Sequence, residues 1–384
     1  MSDVIHPGAV YVHVPFCVHR CGYCDFALVA SRDHLIPAYL TALERELAAW
    51  VPVRQRPVPV RSLFIGGGTP THLGRDQLQT LMSLILNAFE PQEGCEITVE
   101  ANPDTLSEDR MDVLVAGGVN RLSLGVQAFD NGSLKILERS HTAESACQTI
   151  QSCAALIPNI SIDLIFGIPD QSLTSWRETL LTATSLPIRH ISTYGLTYEN
   201  GTPFFTRRQH GRLQPAEEET EREMYLETVR ILGDAGYVHY EVSNFSRPGF
   251  ACRHNLVYWQ AREYHAFGPG AARYLHGTRS TNLKSVPRWI RAWNESSALG
   301  DAIQETETLS SEDKAREAIM LGLRLVDGFD LRDFSRRFGF TLESLAGDEL
   351  QSHLQSGTLQ QSDGRLRLTS QGRLIADSVI ADFL

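Results

Sequence analysis

Long hydrophobic runs are missing from this 384-residue sequence. No stretch approaches the roughly 18 consecutive apolar residues that a membrane-spanning helix needs, and no basic segment followed by an apolar one precedes Phe16. Membrane insertion and secretion are therefore not expected, and the reading is a cytoplasmic protein. Basic residues are in deficit: 35 Lys and Arg against 46 Asp and Glu leave a formal charge of −11, which opposes attraction to phosphate backbones or anionic lipid. Nucleic acid is not the expected partner. The first 300 residues contain no obvious internal repeat or low-complexity segment. Cysteines are few, odd in number and unevenly spread. Of seven, Cys17, Cys21 and Cys24 crowd into eight positions while Cys95, Cys147, Cys153 and Cys252 are scattered. A disulfide framework would distribute them otherwise, so the cluster points to metal in a reducing compartment.

The composition that remains, 42% apolar and 21% charged, is that of a globular chain able to bury a full core. Its length, more than twice a ~150-residue domain, predicts one large domain and a smaller one. Short β-branched or apolar runs recur at 9–16, 61–66, 96–101, 121–126, 161–166 and 190–196, separated by stretches of helical spacing. In 34–50, for example, Leu35, Tyr39, Leu43, Leu47 and Trp50 share one helix face. Six strand-then-helix units imply parallel strands, and since a closed barrel of this kind needs eight, the expected fold class is α/β, an open or partial (β/α)6 barrel. Its chemistry belongs at the C-terminal ends of the strands.

The segment Val51 to Val60 reads as a connector, and the acidic run Glu217 to Glu223 as the solvated start of a helix. From about Glu305 the pattern changes. Ser310 and Asp313 form a capping box opening a helix to Val326, Asp363-Gly364 signals a hairpin, and 370–384 reads as a last helix. This suggests a small winged-helix-like domain. With 9 basic and 14 acidic residues it is poorly suited to DNA, and internal docking is the expected role. The predicted boundaries are 1–240, 241–304 and 305–384.

The decisive string is His13-Val-Pro-Phe-Cys17-Val-His-Arg-Cys21-Gly-Tyr-Cys24, C-x3-C-x2-C immediately after the first strand. Three thiolates on one loop can hold three corners of a [4Fe–4S] cube and leave the fourth iron open. Zinc is the competing reading, with His13 or His19 as fourth ligand, but it commonly takes two separated pairs and no second C-x2-C exists.

This string, with Tyr23 before the third cysteine and Gly66-Gly67-Gly68-Thr69-Pro70 after the second strand, resembles the radical S-adenosylmethionine enzymes. The glycines would let backbone groups approach the cofactor's amine without a Cβ in the way. Over nearly its full length the chain resembles the oxygen-independent coproporphyrinogen III oxidase family. That resemblance implies S-adenosylmethionine contacts from Tyr11, Gly67, Gly68, Thr69, Glu100, Gln127, Arg139 and Asp163, and cluster ligation by Cys17, Cys21 and Cys24. Acceptors for an ammonium group and ribose hydroxyls, and a guanidinium for the methionyl carboxylate, are what such a cofactor requires.

Two features distinguish branches of the family. The oxidases carry a further cysteine as C-x-C after the third, where this chain has Phe26. The string His254-Asn255-Leu256-Val257-Tyr258-Trp259 resembles the H-N-x-x-Y-W signature of the haem chaperone branch. A neutral histidine can ligate haem iron, so His254 is the expected haem ligand, with Asn255, Tyr258 and Trp259 shaping the site and Arg253 or Arg262 available to propionates. Cys252 reads as a buried structural cysteine, and no C-x-x-C-H haem-attachment string is present. The resemblance thus implies a chaperone that holds haem, a [4Fe–4S] cluster and S-adenosylmethionine, draws on an electron donor, and passes haem to acceptor proteins. An oxidative decarboxylase acting on coproporphyrinogen III is the alternative.

Overall fold

A computed structural model describes residues 8–51, 57–295 and 299–384. Parts of the expected N-terminal segment, of the Val51–Val60 connector and of the segment 241–304 lie outside these residues. Six strands form the centre: β1 (Ala9–Val14), β2 (Val58–Gly67), β3 (Phe89–Ala101), β4 (Arg121–Gln127), β5 (Asn159–Phe166) and β6 (His190–Gly195). All are parallel and adjacent in sequence order. Three further strands, β7 (Val238–Glu241), β8 (Asn244–Ser246) and β9 (His265–Phe267), complete a nine-stranded sheet of order β9-β1-β2-β3-β4-β5-β6-β8-β7. The six-unit reading holds, and the sheet is a partial barrel. At one edge β9 pairs parallel with β1, and at the other β8 pairs antiparallel with β6. The expected connecting segment 241–304 therefore supplies β8 and β9 to the sheet.

The parallel strands carry near-continuous apolar runs because helices and the lumen cover both faces. Val10, Val12, Val14, Leu63, Ile65, Leu122, Leu124, Ile160 and Ile162 are all buried. The helix Ile36–Trp50 lays Tyr39, Leu43 and Leu47 against this core, each worth about 1.5–3 kcal/mol when fully buried. The same helix buries Glu46. Its carboxylate accepts from Gly268 N at 2.7 Å, Arg273 at 2.6 Å and Asn282 Nδ2 at 2.6 Å, which ties the returning segment after β9 to the first helix.

The C-terminal region has its own core, including Ile319, Leu323, Phe334, Leu350, Leu366 and Phe383. Ser310 caps the helix Ser311–Leu323 reciprocally with Asp313, and the hairpin Leu359–Ser362/Arg365–Leu368 turns through Asp363 and Gly364, both at positive φ, as a two-residue hairpin loop requires. The expected last helix is broken at Ile375 into Ser370–Leu374 and Ala376–Ala381. This region docks on the barrel: Val242 N donates to Arg324 O (3.0 Å), Val326 N to Tyr240 O (3.1 Å), and Arg337 to Gln260 O and Ala261 O. No helix among the described residues is long and apolar enough to cross a membrane.

Candidate functional site

After β1 the chain makes a loop whose stem is a short parallel ladder between Phe16–Cys17 and Val29–Ala30. Within it Cys24 N donates to Cys21 O at 3.1 Å, and Gly22 is required because a Cβ there would lie 2.3 Å from the Phe204 ring. The thiols of Cys17, Cys21 and Cys24 are all free, and all three residues line one cavity of about 630 Å³ at the C-terminal ends of the parallel strands. Burial pushes the Cys17 thiol up to about 11 and also raises that of Cys24. A bound metal would displace those protons. Among the described residues no three His, Cys, Asp or Glu side chains are grouped to hold a single ion. A cubane takes one thiolate per iron at separate corners, and three free thiols facing one cavity suit it.

The strand ends supply the rest of the outer wall. The Cys17 Sγ lies 3.4 Å from Thr69 Oγ1, which accepts from Asn102 Nδ2 at 3.0 Å. Asn102 Oδ1 accepts in turn from Arg139, whose guanidinium also donates to Gly125 O (2.8 Å) and approaches Cys21 Sγ at 3.6 Å. The two cysteines are thus linked through Thr69, Asn102 and Arg139. Asn102 escaped sequence analysis, although an Asn-Pro pair directly after a strand is a recognisable turn signal. Glu100 accepts from Gly67 N at 2.8 Å, and its carboxyl is raised to about 7 by burial and by nearby Asp163. Gln127 closes β4 at φ +69°, after a register shift between Gly125 and Gln127. Asp163 sits three residues before the end of β5, level with Gly125 and Ser192. Tyr23 lines the cavity and meets Phe204 edge-on, ring centres 6.1 Å apart. Tyr11 pairs with His13 Nδ1 at 2.9 Å, and His13 Nε2 donates to Ala27 O at 2.8 Å.

The glycines also have a packing duty within the protein. A Cβ on Gly66 would lie 2.6 Å from Glu100 Oε2, on Gly67 2.5 Å from the His13 ring, and on Gly68 2.8 Å from Phe16 O. The three residues are small so that the end of β2 can press against Glu100, His13 and the stem of the cysteine loop in turn, and Gly67 and Gly68 line the cavity.

The H-N-x-x-Y-W string lies on a helix, Arg253–Trp259. The buried Glu96 carboxylate caps it, accepting from Arg253 N (3.2 Å), His254 N (3.1 Å) and Cys252 Sγ (3.5 Å). Cys252 is fully buried, its thiol pushed up to about 12, as a structural cysteine would be. His254 lines the inner end of the same cavity but is only 1% exposed. Its Nδ1 is hydrogen-bonded to Ser62 Oγ (3.1 Å) and its Nε2 to Tyr258 Oη (2.8 Å). Burial, reinforced by Arg121, lowers its pKa to about 3, so the ring is neutral. Neither nitrogen is free in this arrangement. Tyr258 and Asn255 also line the cavity, whereas Trp259 is absent from its lining and lies under the Arg324 guanidinium. The expectation for Arg253 and Arg262 is not met. Arg253 donates to Gly94 O and Arg262 to Gln260 Oε1, and neither lines the cavity.

Comparison with known proteins agrees with this geometry. Residues 11–183 match the Radical SAM superfamily and residues 309–375 the HemN C-terminal domain. The haem chaperone HemW of Bacillus subtilis is 36% identical over 98% of this chain and 99% of its own length. That of Lactococcus lactis is 35% identical, covering 98% and 97%. The chain belongs to the HemW family of radical SAM proteins. The solved coproporphyrinogen III oxidase HemN of Escherichia coli superposes with a TM-score of 0.84 over 98% of this chain and 90% of that one. At 23% identity it shows a shared fold. At the rim of the cavity, where the sequence departs from the oxidase pattern, Phe26 stands 55% exposed.

Proposed function

We propose that this chain is a cytoplasmic haem chaperone that carries a [4Fe–4S] cluster and S-adenosylmethionine and transfers haem to acceptor proteins. The observation that carries the reading is the single cavity shared by three free thiols, the strand-end polar wall and His254. Its near full-length similarity to proteins named as haem chaperones supports it. Cys17, Cys21 and Cys24 would hold the cluster. Glu100, Gln127 and Asp163 offer acceptors to an ammonium group and ribose hydroxyls, Arg139 a guanidinium to a carboxylate, and Tyr11, Tyr23, Gly67, Gly68 and Thr69 the surrounding wall. When bound and reduced by an electron donor, cluster and cofactor supply one-electron chemistry. Phe26 offers no thiol where the oxidases have one, which favours carriage of the porphyrin over its decarboxylation. His254 is the residue of this wall suited to haem iron, and ligation through Nε2 requires Tyr258 Oη to move away.

The test is one anaerobic preparation assayed for iron, sulfide, haem binding and coproporphyrinogen turnover. The expected outcome is cluster and haem bound with no turnover, and His254→Ala weakening or altering the Soret band while iron and sulfide stay at the wild-type level. Robust decarboxylation would restore the oxidase. A Soret band indifferent to His254→Ala would leave a haem carrier with another ligand.

A further inference from the structure

At the inner end of the cavity lies a residue to which no role has been attached. Arg121 opens β4, level with Phe64 of β2 and Thr98 of β3. Its side chain is a guanidinium only 2% exposed, yet it lines the cavity. Among the described residues it makes no hydrogen bond and no ion pair within 4 Å, and its Nε has no partner. A buried arginine with unanswered donors is costly unless something accepts from it. The other cavity cation, Arg139, is already engaged by Asn102 and Gly125.

The surroundings favour an incoming anion. On either side stand two serine–histidine–tyrosine chains, Ser62–His254–Tyr258 and Ser161–His190–Tyr240, the latter with contacts of 2.8 and 2.7 Å. Both imidazoles are buried and neutral. The acidic groups that act on Arg121 through space are the Cys252 thiol, Glu96, the Tyr240 phenol and Asp163, with Glu100 also within reach. Glu96 is committed to the helix Arg253–Trp259, and burial raises the carboxyl of Asp163 as it does that of Glu100. The neighbouring wall is aromatic, with the rings of Tyr11 and Phe64 at 6.4 and 5.2 Å from His254, and such rings suit the face of a flat macrocycle.

We infer that Arg121 is a carboxylate-binding subsite at the inner end of the cavity, and that it recognises a propionate of the porphyrin cargo. This rests on the haem-carrying reading above. It replaces Arg253 and Arg262, which the fold directs elsewhere, with an arginine that faces the cargo space. A guanidinium offers a carboxylate paired, planar donors, and a neutral ester in its place would accept more weakly.

The experiment compares haem with haem dimethyl ester, in which both carboxylates are masked, by Soret titration of the wild-type chain, Arg121→Met and Arg121→Lys. Wild type should bind haem at least tenfold more tightly than the ester. Arg121→Met should lose that preference by weakening haem and leaving the ester unchanged, and Arg121→Lys should retain part of it. Equal affinity of the wild type for both ligands would overturn the subsite without any mutant and leave haem carriage standing. So would a parallel loss of both ligands in Arg121→Met, the signature of a counter-ion for Asp163. A wild type that binds neither ligand overturns the haem reading, and the subsite with it.

Discussion

Replacing Gly67 by alanine tests whether the glycine run serves packing of the cysteine loop. Gly67 has φ +111°, a region that an L side chain enters at a cost of roughly 1–3 kcal/mol. Its new Cβ would also lie 2.5 Å from the His13 ring. That ring cannot swing away cheaply, because Tyr11 holds one nitrogen and Ala27 O the other, so crowding adds about 1–3 kcal/mol. The expected total is roughly 2–6 kcal/mol in urea unfolding. Gly211→Ala is the control: its φ is +66°, but nothing lies within 4 Å of the added Cβ, so only the backbone cost applies. Gly67→Ala should exceed Gly211→Ala by the crowding cost, and should also lower iron uptake on anaerobic reconstitution, since the displaced His13 lies on the strand leading to Cys17. Equal destabilisation of the two variants would refute the reasoning.

Cys17→Ala, Cys21→Ala or Cys24→Ala should each abolish iron and sulfide incorporation, while Cys95→Ala, Cys147→Ala and Cys153→Ala leave it unchanged; an intact cluster in any of the first three would reject the ligand set. Glu46→Ala should cost about 3–5 kcal/mol in chemical denaturation, because it strands the buried Arg273, and a loss below about 1 kcal/mol would show that the ion pair is not a stabilising tie. Acid should destabilise the fold through its buried histidines: His13 falls to about 4 and His254 to about 3 from 6.5. The unfolded chain therefore takes up protons below pH 6.5 that the native state refuses. The stability from neutral His13 is fully present above pH 6.5 and declines by about 3 kcal/mol on the way to pH 4. An unfolding free energy that stays flat between pH 7 and pH 5 would contradict this.

Features written in short stretches of chain were legible in the sequence. The spacing of Cys17, Cys21 and Cys24 requires only that one loop hold three thiols. The six apolar runs and the face of Ile36–Trp50 express strand and helix periods, and Ser310–Asp313 and Asp363-Gly364 are local hydrogen-bonding and turn signals. All of these depend on neighbours within a few residues. Even here the strand limits moved: β3 starts at Phe89 rather than 96, and β5 at Asn159 rather than 161, because partner strands, not propensity, end a ladder.

Tertiary structure alone decided everything that depends on residues far apart in the chain. Arg139 was named from the sequence, but Arg121 was not: Arg253 and Arg262 adjoin His254 in sequence without lining the cavity, whereas Arg121 reaches that cavity from another strand of the barrel. The segment after residue 240 carries a three-residue strand, His265–Phe267, too short for a periodic signal; its place beside β1 comes from register and from the Glu46 tie to Gly268, Arg273 and Asn282. His254 was visible as a candidate ligand, but only packing shows that Ser62 and Tyr258 occupy both its nitrogens. A residue's chemical type is set by the sequence. The donors, charges and space left over around it are set by distant chain segments, such as Ser62 for His254, 192 positions away, or Asn282 for Glu46, 236 positions away, brought together when the sheet curls around its polar lumen.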